Sequence, residues 1–169
     1  MLRSGLLLQD VPLATLTTLE VGGPARFLAR PESAEEARQV LALAESLGLP
    51  CYPLGEGSNL LASDEGFDGV LVQPAGQEFR LTEPGADGRV RVLAGAGMDW
   101  DELVDRTVRE GLAGLECLSG IPGRVGACPI QNVGAYGQEV ADTLRAVHVL
   151  DRRTGQVCTL PGEACGFGY

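Results

Sequence analysis

This 169-residue chain is expected to adopt an α+β fold of two subdomains, on three observations. Strand-like stretches alternate with helical ones, yet several are joined by tight hairpin turns, unlike a continuous doubly wound sheet. No strongly polar linker separates the halves, so residues 1–75 and 76–169 are expected to pack as two subdomains. The apolar share of 44% is ordinary for a folded chain and argues against disorder.

The elements follow in order. "MLRSGLLLQDVPLATLTT" carries a short apolar run, with no small-residue cleavage site and no span long enough for a membrane helix. Ala25–Arg30 alternates apolar and polar residues and reads as a strand. Ser33 with Glu36 forms a capping box, and Ala37, Val40, Leu41, Ala44 and Leu47 make one face of the helix it starts. Gly48 ends that helix. Cys51–Gly55 and Gly69–Pro74 are short strands on either side of a glycine loop.

In the second half, "EFRLTE" and "RVRVLAGAG" flank the turn signals of "PGADG". Asp99 with Glu102 caps a helix whose apolar face is Trp100, Leu103, Val104 and Val108. A long glycine-rich stretch follows. "LRAVHVLD" and "QVCTLP" then pair as a hairpin across "RRTG".

Charge and composition exclude several functions. A formal net charge of −10 argues against nucleic acid or an anionic membrane as the main partner. All 13 basic residues are arginine, which rules out a lysine Schiff base and a P-loop lysine within these residues. The five cysteines, Cys51, Cys117, Cys128, Cys158 and Cys165, are scattered, and with one histidine they offer no zinc-ligand spacing. Small buried cysteines in a soluble cytoplasmic protein are expected. Nothing in the pattern specifies an oligomeric state.

Two stretches carry the chemistry. "LGEGSNLL" places Gly55, Gly57, Ser58 and Asn59 directly after a strand, where backbone N–H groups could converge on an anion. Taken alone, this stretch favours an ordinary tight turn. Leu60 stands where a third glycine would complete the dinucleotide fingerprint, so that motif is absent. "SGIPGRVGACPIQNVGAYG" is glycine-rich yet apolar, unlike a solvated linker. Gly120, Gly123, Gly126 and Gly134 let backbone approach a ligand, Pro122 and Pro129 stiffen the path, and ligand binding is the favoured reading. Arg124 stays open between a phosphate and solvent. The only two asparagines, Asn59 and Asn132, both fall in these stretches, which favours a role for each. "AGAGMDW" reads as structural because Asp99 takes the helix N-terminus. The acids Asp101 and Glu102 are accounted for by the helix dipole, Cys128 by its small size, and His148 by an ordinary place in a strand.

"TTLEVGGPARF", "YPLGEGSNLLASDEGFDGVLV", "AGAGMDWDELV", "GLAGLECLSGIPGRVGACPIQNVGAYGQEV" and "EACGFGY", in this order, resemble the UDP-N-acetylenolpyruvoylglucosamine reductases. The likeness runs from about Thr17 to Tyr169. It implies the two-subdomain FAD-binding fold of the vanillyl-alcohol-oxidase type, and a cytoplasmic role in peptidoglycan synthesis, and so in cell shape and division. It also implies FAD as cofactor, NADPH as hydride donor and a UDP-sugar enolpyruvate as substrate. Gly55, Glu56, Gly57, Ser58, Asn59 and Leu60 would cradle the FAD pyrophosphate. Ser119, Gly120, Ile121, Pro122, Gly123, Gly126, Ala127, Cys128, Ile130 and Gly134 would wrap the flavin, with Tyr169 beside it. Gln131 and Tyr136 would lie toward the substrate. The resemblance puts the catalytic arginine, the serine proton donor and a glutamate after Tyr169, and a separate substrate domain with them. The expectation is therefore a fragment that binds FAD and performs the second half-reaction poorly. Two other readings stay open: a flavin-binding module without reductase activity, and another flavoprotein oxidase of the same fold. Against the latter, no histidine lies near the glycine loops to attach a flavin covalently.

Overall fold

A computed structural model describes residues 3–168. The chain divides into two compact units, one formed by Met1–Ala75 with Leu150–Val157 and the other by Gly76–Val149 with Cys158–Tyr169.

The first unit is built on four strands, β1 (Leu7–Pro12), β2 (Pro24–Ala29), β3 (Cys51–Pro53) and β4 (Phe67–Val72), in the order β1-β2-β4-β3. β1 is antiparallel to β2, whereas β4 runs parallel to both β2 and β3. Helix α1 (Ala34–Ser46) makes the crossover from β2 to β3. β2 does not alternate as expected, because both of its faces are covered. Phe27 and Ala29 pack with Val40, Ala44 and Val70, while Leu28 packs with Leu13, Leu54 and Leu71.

Ser33 caps α1 by accepting the Glu36 N–H at 3.2 Å. The expected box closes differently: the Glu36 carboxylate accepts the Glu32 N–H at 2.8 Å and binds Arg3. Leu47 falls at the helix C-cap and is exposed, so it is not part of the buried face. The sequence carries no sign of β1, because most of its residues face solvent and give no apolar alternation. The Leu150–Val157 segment is held within this unit by two arginines. Arg38 Nε donates to the Gly155 carbonyl at 2.8 Å, and Arg152 donates to the Cys51 carbonyl while lying over the Tyr52 ring.

The second unit contains an antiparallel pair, β5 (Phe79–Leu81) and β6 (Val92–Ala94), then α2 (Trp100–Arg109). Short elements follow: α3 (Cys128–Gln131), β7 (Gly134–Ala135), β8 (Gln138–Glu139) and α4 (Val140–Thr143). β9 (Ala146–Leu150) and β10 (Val157–Pro161) form the expected hairpin. Asp99 caps α2 by accepting the Glu102 N–H at 3.0 Å. Its buried face is Trp100, Leu103, Val104 and Thr107, whereas Val108 is exposed. Thr107 tolerates burial because its hydroxyl donates to the Val104 carbonyl at 2.8 Å. Met98, Trp100, Leu103, Val104, Leu118, Cys128 and Val140 form the core.

The cysteines divide, against the expectation that all are buried: Cys51 and Cys128 are buried, Cys117 and Cys165 half-buried, and Cys158 exposed. Among the described residues no helix is long and apolar enough to cross a membrane.

Candidate functional site

The first glycine loop leaves β3 in a tied conformation. The Leu54 N–H donates to the Val72 carbonyl at 2.8 Å, and Gln73 Nε2 donates to the Gly55 carbonyl at 2.8 Å. Gly57 is buried with φ 69°, and a Cβ there would stand 2.0 Å from the Leu16 carbonyl oxygen. Its own carbonyl accepts the Thr18 N–H at 3.2 Å. The loop is thus laid directly on the Leu16–Thr18 backbone, and no other residue fits at Gly57. Ser58 and Asn59 remain exposed, with their side chains available to solvent or ligand.

The second stretch is less irregular than its composition suggests. A 3-10 turn at Glu116–Leu118 leads into it, and it holds another at Val125–Ala127, the single turn of α3, and strand β7. Its frame is the "AGAGMDW" segment, as the structural reading requires. Gly126 donates to the Ala96 carbonyl at 2.9 Å, Val125 to Met98 at 2.9 Å, and the Trp100 N–H to Gly123 at 3.0 Å. A Cβ on Gly126 would approach that of Ala96 to 2.8 Å, so only glycine fits the pairing. Arg124, open between phosphate and solvent in sequence, donates to the Gly97 carbonyl at 2.7 Å.

At two of its glycines the loop is open. Gly120 (φ 77°) and Gly123 (φ 142°) have nothing within 4 Å of where a Cβ would stand. Ile130 is 81% exposed and Tyr136 93% exposed. Water is a poor neighbour for so much apolar surface beside bare backbone, and a flat heteroaromatic group is a good one. Tyr136 (φ 52°) and Gly137 (φ 80°) form the turn between β7 and β8. A left-handed tyrosine there costs about 1–2 kcal/mol.

Two of the singled-out residues turn inward. Cys128 is buried in the core, where burial and nearby Asp99 push its thiol up to about 12. Its Sγ donates to the Arg124 carbonyl at 3.3 Å, its N–H donates to the Val125 carbonyl, and its own carbonyl accepts the Val133 N–H at 3.2 Å. Asn132 is likewise buried: its Nδ2 donates to Glu139 at 2.7 Å and its Oδ1 accepts the Ala141 N–H at 3.2 Å. It braces the end of α3 against α4, which corrects the expectation that its rarity marks a ligand contact. Tyr169 lies outside the described residues. The two loops fall in separate units, Gly55–Leu60 in the first and Ser119–Tyr136 in the second.

Sequence reasoning missed two residues. The Trp100 indole donates to the Leu118 carbonyl at 2.9 Å. Asp101 accepts the Ser119 hydroxyl at 2.9 Å and the Gly120 N–H at 2.6 Å. The Gly120 N–H, with the Ser119 hydroxyl after it, holds the Asp101 carboxyl below its ordinary range. An acid in a first helical turn is so common that no local signal marked this one. Among the described residues no group of His, Cys, Asp and Glu is arranged to hold a metal ion.

A family described as the FAD binding domain matches residues 25–161. The chain belongs to this FAD-binding family. Two UDP-N-acetylenolpyruvoylglucosamine reductases are near relatives. That of Saccharopolyspora erythraea is 51% identical over 157 residues, matching 93% of this chain and 43% of the relative. That of Nocardia farcinica is 54% identical over 162 residues, matching 95% and 40% respectively. The chain thus spans about two fifths of the length of the curated relatives it matches. The crystal structure of the Thermus caldophilus reductase superposes with TM-score 0.76 at 38% identity, covering 94% of this chain and 54% of that one. 6-Hydroxy-D-nicotine oxidase from Arthrobacter nicotinovorans shares the fold at 18% identity and TM-score 0.63, covering 82% of this chain and 30% of that one. A VAO-type flavoprotein from Myceliophthora thermophila does so at 14% and 0.59, with 80% and 26% covered. The fold is therefore the α+β FAD-binding fold of the vanillyl-alcohol-oxidase type.

Proposed function

We propose that this chain is the FAD-holding part of a reductase that converts UDP-N-acetylglucosamine enolpyruvate to UDP-N-acetylmuramate, with NADPH as hydride donor. The observation that carries the reading is the Gly120–Gly123 stretch. Its backbone is fixed by Trp100 and Asp101, a Cβ on Gly120 or Gly123 would meet open space, and Ile130 and Tyr136 of the same stretch are exposed. The relatives' names supply the substrate class.

In this reading the two glycine loops serve different parts of the cofactor. Gly55–Leu60 offers exposed Ser58 and Asn59 beside glycine backbone to the pyrophosphate, an anion best held by N–H and hydroxyl donors. Ser119–Gly123, Gly126, Ala127, Cys128, Ile130, Gly134 and Tyr169 take the flavin end. Gln131 and Tyr136 face the UDP-sugar, and the left-handed, almost fully exposed Tyr136 suits such a contact. Bound FAD supplies two-electron hydride chemistry; the residues here bind, orient and exclude water. A cytoplasmic setting in cell-wall synthesis accompanies this assignment.

The test is anaerobic addition of NADPH to the chain loaded with FAD, following the visible flavin band. Bleaching faster than that of free FAD supports the assignment. A band that persists at the rate of free FAD contradicts NADPH as the donor to this part.

A further inference from the structure

The first two residues of α2 hold the loop that follows Leu118. The Trp100 indole donates to the Leu118 carbonyl and the Trp100 N–H to the Gly123 carbonyl. Between these anchors one oxygen of Asp101 accepts both the Ser119 hydroxyl, at 2.9 Å, and the Gly120 N–H, at 2.6 Å. The space where a Cβ would stand on Gly120 or Gly123 is open.

This arrangement fixes the polarity that the loop presents. Because the Ser119 hydroxyl proton points at Asp101, its oxygen keeps only lone pairs for a ligand. The Gly120 N–H is already used by Asp101. A phosphate oxygen arriving here would meet an acceptor, a spent donor and a neighbouring carboxylate, all unfavourable to an anion. A ligand hydroxyl or ring N–H would instead find an oriented acceptor.

We propose that Asp101 is a positioning residue that makes Ser119 a hydrogen-bond acceptor, so that this stretch takes a hydroxyl- or N–H-bearing part of the cofactor and not its pyrophosphate. The proposal rests on the FAD reading above. It gives Asp101 a task beyond complementing the helix dipole, a task that Glu102, bonded to Arg106 on the helix surface, does not share.

The test compares FAD with riboflavin, which has the same ring and side-chain hydroxyls but no phosphate. Both are titrated into the wild-type chain and the variants Asp101→Ala, Asp101→Asn, Ser119→Ala and Asp101→Ala/Ser119→Ala, followed by visible absorbance, with circular dichroism to confirm folding. Ser119 is exposed, so its alanine variant reports even if Asp101→Ala unfolds. Each alanine change should weaken both flavins by the same factor, about three- to tenfold, and alter the bound flavin spectrum. The double variant should be no weaker than the worse single one, and Asp101→Asn, which keeps an acceptor oxygen, should recover most of the affinity. Equal affinity and identical spectra in every variant would overturn the proposal while leaving the FAD reading intact. So would FAD binding that tightens in Asp101→Ala while riboflavin binding does not, since that places phosphate at this stretch. A folded wild-type chain that binds neither flavin overturns both.

Discussion

Gly57 and Gly120 are both left-handed, yet for different reasons, and substitution separates them. A Cβ on Gly57 would collide with the Leu16 carbonyl at 2.0 Å, whereas one on Gly120 meets nothing within 4 Å. Gly120→Ala should therefore cost only the left-handed backbone strain, about 1–2 kcal/mol. Gly57→Ala adds a backbone clash to a similar strain and should cost clearly more, on the order of 3 kcal/mol or above. Urea unfolding of the two variants gives the comparison, and equal losses would contradict the packing at Leu16. Cys128 offers a second test. Its thiol, pushed from 9.0 to about 12 by burial, stays protonated in the fold at pH values where the unfolded chain loses the proton. The raised folded value means this contribution to stability is intact below pH 9 and falls as the pH rises toward 12. An alkylating reagent at pH 8 should modify exposed Cys158 quickly and Cys128 only on unfolding, which mass mapping of the labelled chain would show.

Among the elements, α2 organises the second loop through side chains that no periodicity reveals. Trp100→Phe keeps the buried ring but leaves the Leu118 carbonyl without its indole donor. The expected loss is about 1–3 kcal/mol, together with weaker flavin binding, because one end of the Ser119–Gly123 loop is released. A melting temperature and flavin affinity both unchanged would show that the loop needs no such anchor. The strong elements were readable in advance because each carries its own local contrast. α1 and α2 have side-chain caps and an apolar stripe, and β9 and β10 flank a turn that only a hairpin explains. β1 lacked that contrast, being mostly exposed, and α3 and α4, at four residues each, are too short for a helical period to repeat. Of the site, the glycine positions were legible because unusual backbone leaves a compositional trace. The inward turn of Asn132 and the grip of Asp101 were not, because each depends on a partner brought near only by tertiary structure.

For the whole molecule, the division of labour follows from chemistry. The first unit lays a glycine loop with exposed Ser58 and Asn59 after a parallel strand, a place suited to an anion. The second offers bare backbone, exposed apolar side chains and an anchoring carboxylate, a place suited to a neutral, flat, hydroxyl-bearing group. FAD carries both kinds of group in one molecule, in keeping with the family to which the chain belongs. The central claim is that these residues form a flavin site, and absorbance titration of the purified chain with FAD tests it most directly. The account predicts a saturable shift of the visible flavin band that weakens in Gly57→Val. A folded chain that leaves the flavin spectrum unchanged at every concentration would contradict it.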